Sequence, residues 1–386
     1  MQAPSRLVLP FLLATAAAAQ ATWVVDIANG PGANFTQIQP AITAAAPGDR
    51  ILVRSGSYDT FVLGKPLSIL GIGTPLVSGY TAASPIPAVT GLPAGTQVSI
   101  TNLRFPLSSA NPIALSIANC QGAVVLDRVA TLAPIQVVNS SDVRGRQCDF
   151  QAATRLTGSD AAFERCTFHG SWISPYVPGN LPGLAIANGT VIASRCVFRG
   201  GDYSTGHIFV APAGPAIDLA AATLTIVDDG SGLAAGGNGS PASAITGSGT
   251  LILDPQFALQ PTGGAAAIDP AVAVVSRATP SLAVDVGPPG GTVDGDLAGT
   301  PGHGWFLFVG TVAPRHGLAP VVGDIWVTPV LLLGSGVIGA TGRVGVQVPL
   351  PNSPILGGYS FTWQGLTLDA AGAILTTNPS SYVHGL

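Results

Sequence analysis

The residues able to do chemistry are few and concentrated in the middle of the chain. Only 9% of the 386 residues are charged, with one Lys (Lys65) and one Glu (Glu164). Asp149 and Glu164 are the candidate pair for acid–base work, since hydrolysis by paired carboxylates needs two acids held close over one bond. Asp127-Arg128 and Glu164-Arg165 read more simply as ion pairs. A second group is richer. His169 opens a segment that runs on through Trp172 to Tyr176, and Arg199 opens one that runs through Asp202 and Tyr203 towards His207. Aromatic rings beside Arg, Asp and His on a shallow face suit sugar rings: stacking on the apolar ring face, hydrogen bonds to the hydroxyls. Loop packing is the competing reading of the same residues.

Other chemistry is sparse. Asp294-Gly295-Asp296 is a calcium-loop fragment, against which a surface turn is favoured, so calcium is the one cofactor considered and no other is expected. Cys120, Cys148, Cys166 and Cys196 contain no close Cys-x-x-Cys or Cys/His pairing, which excludes zinc. The chain has no Gly-x-Ser-x-Gly, phosphate loop or His-Glu-x-x-His. With a net charge of -4 and no basic run, nucleic acid is not an expected partner.

What must position these groups is legible in Ala161–Phe168. Its apolar residues stand at 161, 163, 166 and 168. A single strand would keep period two throughout. Here the alternation breaks at Glu164-Arg165 and restarts, which predicts two short strands meeting at a bend over one interior. The same four inward positions recur as Ile51, Val53, Gly56, Tyr58; Leu67, Ile69, Ile72, Thr74; and Val98, Ile100, Leu103, Phe105. They continue as Val124, Leu126, Val129, Thr131; Val143, Gly145, Cys148, Phe150; then Ala161 to Phe168; then Val191, Ala193, Cys196, Phe198. Steps between the matches vary, so no strict repeat applies; a coil with a fixed strand core and variable loops does.

This ruler puts Cys148, Cys166 and Cys196 in one inward column. They read as a ladder of packed thiols, with a Cys148–Cys166 disulfide as the alternative, since stacked strands lie about 4.8 Å apart. The bend column reads Asn102, Arg128, Gln147, Arg165, Arg195. It either satisfies backbone groups or forms an arginine row for acidic sugars.

Ahead of the first match, Ile38, Ala41, Ile42 and Ala45 fall at i, i+3, i+4, i+7, one face of a short helix over 36–46. Thr36 with Gln39 forms a capping-box pattern, and Pro47-Gly48 ends the helix. Strands at Ile51–Val53 and Leu67–Gly71 follow. This run resembles the N-terminal cap and first rungs of secreted bacterial right-handed parallel β-helix proteins, the pectin-lyase-like superfamily. The resemblance implies a helix plugging the open end of the coil, where core and strand edges would otherwise be bare. Enzymes of that family similar to polygalacturonases carry ordered Asn-Thr-Asp, Asp-Asp, Gly-His-Gly and Arg-Ile-Lys blocks. Here only Asp228-Asp229 and Gly302-His303-Gly304 occur, too far apart to form that set.

The expected fold is therefore all-β: a right-handed parallel β-helix with an N-terminal capping helix, then a small β-sandwich-like domain. Residues 1–21 read as a secretory signal: Arg6, an apolar run from Leu7, and an Ala19-Gln20-Ala21 cleavage site. Residues 22–262 read as the coil, 263–280 as a linker and 281–386 as the C-terminal module. No stretch is long and apolar enough to span a membrane. The function expected is an exported, non-catalytic protein, secreted, cell-surface or periplasmic, whose long face contacts a polysaccharide or cell-surface glycan. A lyase, hydrolase or esterase acting on acidic glycans is the alternative.

Overall fold

The broken alternation becomes a corner. In the computed structural model, Ala161–Glu164 is one strand and Thr167–His169 the next, with Arg165 between them at φ 53°. The structure describes residues 20–79, 85–107, 113–170, 181–202, 213–228, 232–288, 290–351, 353 and 356–384. Each turn of the coil has three strands. One full turn runs Ala161–Glu164, Thr167–His169 and Leu184–Ala187, and Thr190–Ser194 begins the next.

Strands stack in parallel on each of the three faces. The first face runs from Thr22–Val25 through Ala123–Asp127, Val143–Arg146 and Ala161–Glu164 to Val272–Ser276. The second runs from Ser57–Asp59 through Asp149–Phe150 to Ala258–Gln260. The third includes Leu115–Ala118, Ile135–Val138, Thr154–Thr157 and Leu184–Ala187. The fold is a right-handed parallel β-helix, the hand that parallel crossovers take almost without exception.

The bend column is the corner itself. Asn102, Arg128, Gln147, Arg165 and Arg195 all adopt left-handed backbone, φ 51–56°. That conformation costs an ordinary L-residue roughly 1–2 kcal/mol. Each corner N–H is used in the ladder: Arg128 donates to Arg146 O, Gln147 to Glu164 O and Arg165 to Ser194 O, all at 2.9 Å. A second left-handed column, Asn119, Asn139 and Asn188, turns the third face back to the first. Cys120 lies just after this corner, in line with Ser140, whose Oγ accepts the Cys120 N–H.

Inside, side chains stack rung on rung. Phe168 lies 5.2 Å from Phe150 and 5.0 Å from Phe198, nearly parallel to the latter. Such aromatic pairs add roughly 0.5–1.5 kcal/mol beyond area burial. All four cysteines are buried free thiols, so Cys148, Cys166 and Cys196 form the packed ladder and no Cys148–Cys166 bridge. Burial pushes the Cys148 and Cys166 thiols well above their ordinary value.

Four expectations need correction. Ile72 and Thr74 do not point inward: both are exposed, because Gly73 and Thr74 take positive φ and lengthen that corner. Val77 fills the core instead. The helix spans Ile38–Ala44, and no side chain caps its N-terminus, so the Thr36/Gln39 box does not form. Gln37 and Gln39 accept the Asp59 and Val62 N–H groups instead, covering donors on the bare edge of the first turn. Ile38, Ala41 and Ile42 plug the core as expected. Residues 263–280 are not a free linker, since Val272–Ser276 stacks as a strand on Gly249–Leu253. Lastly, Asp294-Gly295-Asp296 lies within the strand Thr292–Ala298 rather than in a turn.

Beyond Pro280 the strands turn antiparallel. Ser281–Val286, Thr292–Ala298 and Arg343–Pro349 form one sheet. Gly304–Gly317, Asp324–Val337, Ser360–Leu368 and Ser380–Val383 build the other. Leu282, Val284, Leu297, Leu307, Trp363 and Tyr382 are buried between them. This sandwich lies against the first face of the coil. Arg144 crosses the seam, donating to Ala313 O at 2.8 Å and Trp326 O at 2.7 Å, with its guanidinium 4.9 Å over the Trp326 ring. Among the described residues no helix is long and apolar enough to cross a membrane.

Candidate functional site

The outward side of the second face carries Asp149, His169 and Arg199, with Gln151 beside them. Gln151, His169 and Arg199 each follow the inward Phe of their turn, and His169 pairs in register with Arg199. They form one polar row along the rim where the chain leaves the second face. Gln151 donates to Asp149 Oδ2 at 2.7 Å. Asp202 accepts from the Asn238 backbone N–H at 2.8 Å and its side-chain amide at 3.2 Å. Burial lowers the His169 pKa, with Asp149 and Asp202 opposing and Arg199 reinforcing the shift. A neutral imidazole offers one donor and one acceptor, the combination a sugar hydroxyl uses.

The base of this rim is fixed by backbone crossing backbone. Gly170 N–H donates to Arg199 O at 2.7 Å. A Cβ on Gly170 would stand 2.0 Å from Leu181 O, and one on Gly200 1.9 Å from Gly214 O. Only glycine permits either approach. Trp172, Tyr176, Tyr203 and His207 lie outside the described residues.

The acid pair does not assemble. Asp149 faces outward on the second face, whereas Glu164 faces outward on the first, beneath the sandwich. Glu164 is 2% exposed and accepts a hydrogen bond from Ser380 Oγ. Burial raises its pKa, against the attraction of Arg146 and the Ser380 bond. Glu164 is covered by the sandwich while Asp149 reaches solvent, so the structure does not bring the two acids together at one accessible point.

The first face carries a denser charge cluster, in which the local pair forms too: Arg128 lies 3.6 Å from Asp127. Arg146 lies 3.7 Å from Asp127 and 3.9 Å from Glu164, and donates to Val284 O at 2.8 Å. Arg144 pairs with Asp142. Arg165 of the bend column is bound to Asp285 of the sandwich. The arginine row is thus partly spent on holding the two units together. The signal was present in the outward positions of the first-face strands, where polar and charged residues replace the usual mixed surface.

The calcium candidates have partners within their own sheet. Asp296 is paired with Arg343 at 3.0 Å, and Asp294 accepts from Thr292 Oγ1. Among the described residues no group of three or more His, Cys, Asp or Glu is arranged to hold an ion. Asp228 is buried and accepts the Gly232 N–H at 2.9 Å, a structural role.

No family model and no curated protein matches this chain. Among solved structures it is similar to the pectin methylesterase PemA from Erwinia chrysanthemi. The match is 13% identical, covers 67% of this chain and 94% of that one, and has a TM-score of 0.35. It is also similar to the enzymatically active domain of bacteriophage CBA120 tailspike protein 2. That match is 11% identical, covers 95% of this chain and 71% of that one, and has a TM-score of 0.40.

Proposed function

We propose that the protein is an exported, non-catalytic β-helix that presents the second-face rim of its middle turns to a polysaccharide or cell-surface glycan. One observation carries this reading: its polar side chains are divided between two faces. Those of the first face, Asp127, Arg144, Arg146 and Glu164, are buried against the sandwich. Those of the rim, Asp149, Gln151, His169, Arg199 and Asp202, reach solvent. The rim mixes donors, acceptors and one imidazole, and its two acids, Asp149 and Asp202, each accept a hydrogen bond from a neighbouring amide. That suits recognition of hydroxyls better than bond cleavage.

The test is binding of the full chain to a panel of neutral and uronate-containing polysaccharides, beside the double variant His169→Ala/Arg199→Gln. Losing charge-assisted hydrogen bonds of about 1.5–3 kcal/mol should weaken binding at least about tenfold. Reducing ends and unsaturated products are measured in parallel, with and without calcium. Equal binding by the double variant would sink the rim as the site, and release of product would overturn the non-catalytic reading.

A further inference from the structure

A cavity lies where the coil hands over to the sandwich. It has a volume of about 190 Å³. Its floor is the first face of the last turns, where Thr190 pairs in register with Thr223, and Thr225 lies between Ile192 and Ile252. Its walls are Arg277, on the segment leaving the coil, and Arg315 with Asp324 from the sandwich.

The two arginines differ. Arg315 is fully engaged, 3.2 Å from Asp160 Oδ2 and 3.2 Å from Asp324 Oδ1. Arg277 makes no side-chain hydrogen bond or ion pair among the described residues, and its Nε is buried without a partner. Burial lowers its pKa, opposed by Asp324 at longer range. Its Nε donor is thus without the acceptor that water supplies outside, while the rest of the half-buried guanidinium faces the cavity. The group that fits its planar fork is a carboxylate, taken bidentately. The floor adds threonine hydroxyls and aliphatic surface, repeated at the strand spacing of about 4.8 Å.

We propose that this cavity is a subsite for a carboxylate-bearing sugar, with Arg277 holding the uronate carboxylate and the threonine floor receiving the ring. The inference rests on the reading of the protein as a glycan binder. It adds the acidic character of the glycan and a place for it away from the His169–Arg199 rim.

The experiment is calorimetric titration of the full chain with trigalacturonate and with its methyl ester. Four variants are compared with wild type: Arg277→Gln, Arg277→Lys, Thr225→Phe and Arg199→Gln. Expected are at least a tenfold loss in Arg277→Gln, a similar loss when Thr225→Phe fills the cavity, and a tenfold preference for the acid over its ester. Arg277→Lys keeps the charge but loses the fork, so it should fall between wild type and Arg277→Gln. It also serves as the readout if Arg277→Gln folds poorly. Unchanged affinity in the Arg277 variants with a loss in Arg199→Gln would overturn the subsite and leave the rim reading standing. Loss in neither set would overturn both. A wild type that binds neutral glycans but not trigalacturonate would overturn the subsite alone.

Discussion

The first and second faces of the coil are built from one repeat, yet their outward side chains meet opposite fates. Inward, both follow the same rule of stacked apolar residues. Outward, the first face carries Asp127, Arg144, Arg146 and Glu164, none more than 6% exposed, with Arg144 and Arg146 bonded across to the sandwich. The second face carries Asp149, His169 and Arg199, half-buried or exposed. Parallel stacking dictates only the interior half of each strand. What the other half does is decided by whatever comes to lie on it, and here a module later in the chain takes the first face and leaves the second open.

The comparison is broken most directly by removing a charge from each face. Arg144→Ala strands Asp142, which is 0% exposed, and deletes the bonds to Ala313 and Trp326. Breaking a buried pair in this way costs about 3–5 kcal/mol. Arg199→Ala, on the open face, should stay within about 0.5 kcal/mol of wild type. Urea denaturation read by Trp fluorescence checks both, since Trp326 reports on the seam itself. Equal losses would mean that the two faces are not energetically distinct.

The interior shared by both faces gives a smaller effect. Gly145 pairs in register with Phe163, and a Cβ on it would stand 2.6 Å from Phe163 Cδ1 and 3.4 Å from Cys166 Sγ. Its φ is not positive, so the demand is for space alone. Gly145→Ala should cost about 1–3 kcal/mol by overpacking. Phe163→Leu in the same chain should recover part of that loss. A double variant less stable than the sum of the two singles would contradict the stacked ladder.

How much of this was legible follows from the same division. The inward half is encoded locally: a broken alternation marks the corner, and Arg165 stands at the left-handed position it implies. The Cys148, Cys166, Cys196 column was readable for the same reason. The third face was less plain, although Ile135/Val137 and Leu184/Ile186 alternate and Asn139 and Asn188 follow them at the second corner. Ile72 and Thr74 misled because two consecutive positive-φ residues lengthen one corner without changing its apolar content. The outward half could not be read, since the partner that covers Glu164 is Ser380, 216 residues away. Nothing in the spacing around Glu164 carries that information.

The seam should also leave a signature in pH, a change of slope rather than a loss of fold. Glu164 is faced on the coil by Arg146, Arg165 and Arg195 and on the sandwich by Ser380. Burial nonetheless raises its pKa above the ordinary 4.5. The native state therefore holds this proton more tightly than the unfolded chain. Its contribution is fully present below pH 4.5 and is lost as pH rises through the folded value. Asp285, held low chiefly by its hydrogen bond from Arg165, has the opposite sign: its contribution is present above the ordinary 3.8 and is lost on acidification. Glu164→Gln keeps an acceptor for Ser380 and deletes only the first of these slopes. Stability of the variant relative to wild type should thus increase as pH rises from 4.5 towards neutrality. Urea midpoints taken at successive pH values across that range test it. Parallel curves would show that Arg146 and its neighbours compensate the buried carboxylate fully, and the contrast between the covered and open faces would then lie in packing rather than in charge.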